Sequence, residues 1–214
     1  NTYDELEKLK RMYEQAIDYP NVVGLDIGTR SDCVDEPLLE YLARLNERVH
    51  VTLEYGIESI HNLSLEWMNR GHNYESVVKA VELTKQYGIK VAGHIILGFP
   101  IETPKMMLET GLAANALELN FLKIHQLHVV KGTVLAKRFK DEAFPLFQAD
   151  EYIELVADVL ERLNPGIVIQ RLFGDAPDDI LIAPKWGYNI PKLTHLMDLE
   201  LSQRDTWQGR LFRS

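Results

Sequence analysis

The sequence predicts an α/β protein built on parallel strands, and three observations carry this. Strand-like and helix-like stretches alternate at least four times, at about 30–40 residues per unit, as repeated βαβ units do around an open sheet or a barrel. The strand-like runs are short and apolar, as in Ile95-Ile96-Leu97, which suits strands covered on both faces. That run stops at Gly98-Phe99-Pro100, a turn feeding a helix that Thr103 caps with Pro104 at its first position. In parallel α/β folds this edge, at the C-terminal ends of the strands, is where ligands bind.

Taken in order, Tyr3 to Ile17 is charged and leucine-spaced and reads as a surface helix ending before Pro20. Val22 to Gly28 reads as a strand. Asp35 caps a helix with Glu36 and Pro37 in its first turn, running to about Glu47. Val49 to Gly56 is the next strand, followed after Ser59 by a short helix to Asn69. A longer helix from Tyr74 to Tyr87 stops at Gly88. Lys90 to Gly98 is a strand, Pro104 to Leu119 a helix and Phe121 to Val129 a strand. Helical stretches follow at Val134–Lys140 and Ala149–Leu163. Asn164-Pro165-Gly166 breaks the chain before a short strand, Ile167 to Arg171. The remainder is marked by Pro177, Pro184, Gly187 and Pro191 and reads as irregular until a helix from Ile190 to Arg204.

The chain has 214 residues, 46% hydrophobic and 26% charged, enough for one domain with a sizeable core. No apolar run is long enough for a membrane span, and the first residues do not form a signal peptide. A cytoplasmic setting is expected. With Cys33 as the single cysteine, an internal disulfide and a cysteine-ligated metal centre held by this chain alone are both excluded. A net charge of −9 argues against non-specific binding to nucleic acid.

Polar residues gather at the strand ends. Asp26, Glu54, Glu58, His94, His125 and His128 fall near the last residues of four candidate strands or just beyond, on what would be one rim of a barrel. Each alone is explained by a satisfied buried hydrogen bond; together they point to a site. In Glu54-Tyr55-Gly56-Ile57-Glu58-Ser59, Gly56 permits close backbone approach, and the glutamates offer acceptors for sugar hydroxyls or acid–base groups. Arg70, in Asn69-Arg70-Gly71-His72, suits a carboxylate or phosphate, or is an ordinary surface arginine. His125 and His128 stand three apart, so they share a face only if the strand ends between them. Cys33 is expected to be a packed small residue. Lys131-Gly132-Thr133 reads as a turn entering a helix. The segment 170–177 reads as a structured connection in preference to a lid, and Trp186 and Trp207 are expected to pack.

Glu54 to Ser59, Asn69 to His72 and Ile95 to Thr103, in this order and spacing, resemble the radical SAM superfamily. The match is to the bacterial branch grouped with Elongator-type, tRNA-thiolating and coproporphyrinogen dehydrogenase-like domains. Gly28 to Cys33, Lys123 to Thr133 and Arg204 to Gly209 resemble that branch specifically. The resemblance implies a partial (β/α) barrel that binds S-adenosylmethionine and a 4Fe-4S cluster held by three cysteines. It further implies that an electron from the cluster cleaves the cofactor to a 5′-deoxyadenosyl radical. By resemblance, Glu58 and His94 face the ribose hydroxyls, Arg70 pairs with the methionine carboxylate, and Ile96 and Gly98 belong to the adenine-packing part of the motif. Leu127, His128 and Val129 would offer backbone contacts to the adenine edge, and Asp26 would lie near the methionine.

The cysteine motif of that family is absent, and so are its first strand and the second with its amino-binding turn, so the N-terminal strands are expected to be missing. Ile101 stands where a glycine is usual. The expected domains are a truncated radical SAM barrel over 1–165 and a C-terminal extension packing on it over 166–214. The cofactors would be S-adenosylmethionine and a 4Fe-4S cluster in the full-length protein, with the cluster not held by this chain, which alone would be inactive. No residue is assigned to catalysis. Expected partners are a small-molecule cofactor and an undetermined substrate; nucleic acid follows from kinship and not from charge. The alternatives are a metal-dependent barrel hydrolase or lyase using His94, His125 and His128, and a non-catalytic binding module.

Overall fold

The computed structural model describes residues 1–213. In chain order the elements are α1 (Leu6–Ile17), β1 (Gly24–Thr29), α2 (Glu36–Asn46), β2 (His50–Glu58), α3 (Asn62–Trp67), α4 (Tyr74–Gln86), β3 (Lys90–Leu97) and α5 (Pro104–Ala116). They continue with β4 (Phe121–Gln126), β5 (Val129–Val130), α6 (Val134–Asp141), α7 (Ala149–Arg162), β6 (Val168–Arg171), β7 (Leu181–Ala183) and α8 (Ile190–Gln203). Five strands form one sheet in the order β1-β2-β3-β4-β6, every neighbouring pair parallel. The parallel α/β wall expected from the sequence is therefore present.

Local chemistry starts and stops the helices where the sequence places the signals. Asp35 accepts from the Leu38 amide at 3.1 Å, Asn73 from Ser76 at 3.0 Å and Thr103 from Met106 at 3.3 Å. Gly88 ends α4 with φ +70°, a conformation glycine adopts without strain. Leu38, Leu39, Leu42 and Leu45 form the buried stripe of α2. On α7, Tyr152, Val156 and Val159 are fully buried, and α5 approaches so closely that a Cβ on Gly111 would strike Val159.

The two faces of the sheet differ in chemistry. One face carries Ile27, Val51, Leu53, Tyr55, Val91, Ile95, Leu97, Leu122 and Ile124, all buried in the core beneath the helices. Gly93 belongs to this face, and a Cβ there would strike Ile57 and Leu119. The Tyr55 hydroxyl is satisfied by Thr84 of α4 at 2.7 Å. Register places Gly28, Glu54, Gly56, His94, Lys123 and Arg171 on the other, inner face.

The chain departs from its sequence-based outline in four places. The strand expected over 121–129 leaves the sheet after Gln126, and Val129–Val130 instead pairs antiparallel with β7. That partner lies in a stretch read as irregular, because three residues between prolines are too few to show a period. β2 runs beyond Gly56 to Glu58 through an irregularity in register. The sheet does not stop at residue 165, since β6 is its fifth strand. Trp186 packs as expected, donating to the Phe147 carbonyl at 2.8 Å, whereas Trp207 is 60% exposed beneath the Arg210 guanidinium.

Candidate functional site

The end of β2 is built around a missing side chain. Arg70 Nη2 donates to the Gly56 carbonyl at 2.7 Å and pairs with Glu58 Oε1 at 3.1 Å. A Cβ on Gly56 would collide with both groups, so glycine makes the space for the pair. Asn69 (φ +58°) and Gly71 (φ +83°) flank Arg70 in the left-handed region and turn its side chain back onto the strand. Glu58 itself has φ +63°, a conformation that costs a non-glycine residue about 1 kcal/mol or more. Burial pushes the Glu58 carboxyl up to about 7; Arg70 opposes the shift and Glu54 adds to it. Glu58 Oε2 and Arg70 Nε are buried without hydrogen-bond partners.

His94 stands opposite Gly56 in register, and its Nε2 is likewise buried and unpartnered. Burial holds its pKa below the ordinary imidazole range, against the pull of Glu54. The His125 ring lies edge-on to it, with centroids 4.3 Å apart. Burial first, then His94 and Arg171, push His125 down to about 3. Arg171 Nη1 reaches His125 Nε2 at 3.2 Å, and Lys123 pairs with Glu54. His125 and His128 do share a side: the strand ends between them, and both flank Gly174. Gly174 is clamped there by Gln126, which accepts from its amide at 2.7 Å and donates to its carbonyl at 3.1 Å. With the Tyr152 hydroxyl on the Leu172 carbonyl at 2.8 Å, this fixes the segment after β6 as a structured connection.

A cavity of about 680 Å³ adjoins the rim. Ile96, Phe99 and Leu127 line it from the strand ends, Trp67 and Asn69 from the α3 side, and Arg138 from α6. The Arg138 guanidinium lies over the Trp67 ring, 4.9 Å from its centroid, and donates to the Trp67 carbonyl at 2.7 Å. Gly98 turns with φ +108° against Leu127.

The expected site residues are thus sorted by the fold. Glu58, Arg70 and His94 gather at the ends of β2 and β3, while Ile96 and Leu127 line the cavity and Gly98 packs on Leu127. The Leu127 amide donates to the Leu97 carbonyl at 2.8 Å. Val129 is fully buried in the β5–β7 ladder. Asp26 is exposed and aligns with Thr52, four residues before Gly56, so it lies about 13 Å down the sheet and not on the rim. Burial raises the Cys33 thiol, as for a packed cysteine. Sequence reasoning missed Trp67, Arg138 and Gln126. The alternation of Lys123, His125 and Arg171 with apolar neighbours was the available signal for the inner wall.

His125 lies against His94 on one side and shares Gly174 with His128 on the other, and among the described residues no three His, Cys, Asp or Glu side chains are arranged to hold a metal ion. No helix among the described residues is long and apolar enough to cross a membrane.

The unpartnered polar atoms lie at the C-terminal ends of parallel strands, the edge at which ligands bind in α/β folds. The radical SAM superfamily description matches residues 1–112, and that of the radical SAM C-terminal domain matches residues 119–201. The chain belongs to the radical SAM superfamily. It is 35% identical to the uncharacterized protein YtqA of Bacillus subtilis, over 100% of this chain and 66% of that protein. It is 28% identical to the tRNA uridine(34) acetyltransferase of Methanocaldococcus infernus, over 89% of this chain and 35% of that protein. The solved structure of an N-terminally deleted archaeal Elp3 from the same organism superposes with a TM-score of 0.76 at 25% identity, covering 87% of this chain and 43% of that one. The chain spans about two thirds of the length of its Bacillus relative.

Proposed function

We propose that this chain forms the adenosyl-binding wall of a radical SAM enzyme. The observation that carries the reading is three buried polar atoms without partners, Glu58 Oε2, Arg70 Nε and His94 Nε2, at strand ends from which Asn69 and Ile96 go on to line an apolar cavity of about 680 Å³. Orphaned buried groups are costly unless a ligand completes them. A ribose diol answers Glu58 and His94, and a flat purine suits the Ile96, Phe99 and Leu127 surface. When bound, S-adenosylmethionine supplies a 5′-deoxyadenosyl radical upon reduction by a 4Fe-4S cluster.

The chain's own residues position and shelter that cofactor. Glu58 accepts from the ribose hydroxyls, Arg70 holds Glu58 in place, and His94, kept neutral by burial, offers a second ribose contact. Gly98 and Leu127 bring the cavity floor up to the rim, and His128 and Val129 close the side towards β7. A single cysteine does not fit a cluster held by three thiolates, so this chain by itself is expected to carry no cluster and no radical activity. The substrate sits above the rim near His125, His128 and Lys131. Kinship with a tRNA-modifying protein supports RNA as one substrate class, whereas the charge of −9 counts against it.

Calorimetric titration with S-adenosylhomocysteine tests the cofactor site without requiring the cluster. Binding is expected, and R70Q should weaken it at least tenfold while leaving the thermal midpoint within a few degrees. Absence of binding to the wild-type chain would refute the reading.

A further inference from the structure

Two cations near the rim are already neutralised. Lys123 pairs with Glu54, and Arg70 pairs with Glu58. Arg171, exposed on the edge strand β6 and in register with Lys123, forms no ion pair among the described residues. Its side-chain partner is the imidazole of His125. A guanidinium only donates, so His125 Nε2 accepts at 3.2 Å and the ring proton is assigned to Nδ1. Burial, His94, Arg171, His128 and Lys123 all act to keep that ring uncharged. Arg171 is therefore held against the inner wall by a neutral group that does not offset its charge. The remaining guanidinium donors stay free for a forked contact, the geometry that carboxylates and phosphates accept.

We propose that Arg171, held by His125, anchors an anionic group, carboxylate or phosphate, of the small molecule on which the enzyme acts. The proposal rests on the cofactor reading above for the word substrate, and on the wall itself for the anion. Arg171 and His94 share one face with only β4 between their strands, so they stand about 10 Å apart at ordinary strand spacing. A molecule tethered by its anion at Arg171 can thus present an atom a short distance away to the ribose side of the rim. Asp175, the carboxylate nearest this corner in sequence, acts on His128 and does not pair with Arg171.

The test is an NMR titration of the chain with inorganic phosphate and, separately, with acetate, at constant ionic strength set by chloride. The His125 ring and Arg171 Nε–H resonances are followed. A saturable shift with one or both anions is expected, and the tighter binder identifies the group. Anion binding should also move the His125 titration upward, because the added negative charge offsets Arg171. R171Q should weaken binding at least tenfold, with R171K between the two, and a dispersed amide spectrum would establish that each variant is folded. Wild-type and R171Q chains should bind S-adenosylhomocysteine equally. No saturable response to either anion, or unchanged anion binding in R171Q, overturns the anchor. Failure of S-adenosylhomocysteine to bind, with the anion response intact, overturns the cofactor reading alone.

Discussion

The same strands carry two opposite walls. On the helix-covered face Leu53, Leu97, Leu122 and Ile124 are wholly buried, and the one prominent hydroxyl, that of Tyr55, has its partner. On the inner face, residues one step along in sequence include a strained glutamate, an unpartnered histidine and an arginine without a carboxylate. Alternation along each strand thus gives one face the packed core and the other the polar side chains from which the proposed site is built. Three variants can break or sharpen that division.

The largest effect is expected on the packed face. L122A removes a fully buried side chain and should cost about 2–5 kcal/mol, read as a lower urea midpoint at unchanged m-value. An equal loss from an inner-face substitution at exposed Arg171 would contradict the division.

The next concerns Glu58. Its folded pKa, about 7, lies above the ordinary carboxylate value of 4.5, so the native state binds the extra proton between those limits. Stability should accordingly be greatest below pH 4.5 as far as this group is concerned, and fall as pH rises through 7. The loss is on the order of 3 kcal/mol. E58Q should flatten that part of the stability profile, as measured by urea denaturation across pH. A wild-type profile without this slope would show that the Arg70 pair outweighs burial.

The smallest effect belongs to neither wall. Arg44 and Glu40 form an exposed i,i+4 pair on α2 at 3.6 Å. R44A should change stability by less than about 0.5 kcal/mol, and added salt should erase the difference.

Much of this was legible in the sequence for reasons that can be named. Asp35 and Thr103 announce their helices because capping is local chemistry. The apolar run Ile95-Ile96-Leu97 announces its strand because Ile95 and Leu97 pack in the core while Ile96 lines the cavity. Glu58, Arg70 and His94 were legible as a group through a resemblance of motifs, since no local rule brings positions 58, 70 and 94 together. Arg138 over Trp67, Gln126 on Gly174 and Arg171 on His125 were not legible. Each joins segments more than forty residues apart, and neither propensity nor period carries that information. Asp26 was misplaced because a strand pattern gives alternation but not the row in which a residue sits.

The antiparallel ladder between Val129–Val130 and Leu181–Ala183 also bears on how the molecule is made. The strip beside His128 gains its mate only after some fifty further residues have left the ribosome. That strip is therefore framed later in synthesis than the pairing of β1 to β4. A nascent chain halted before residue 181 would display most of its sheet with that strip still unframed.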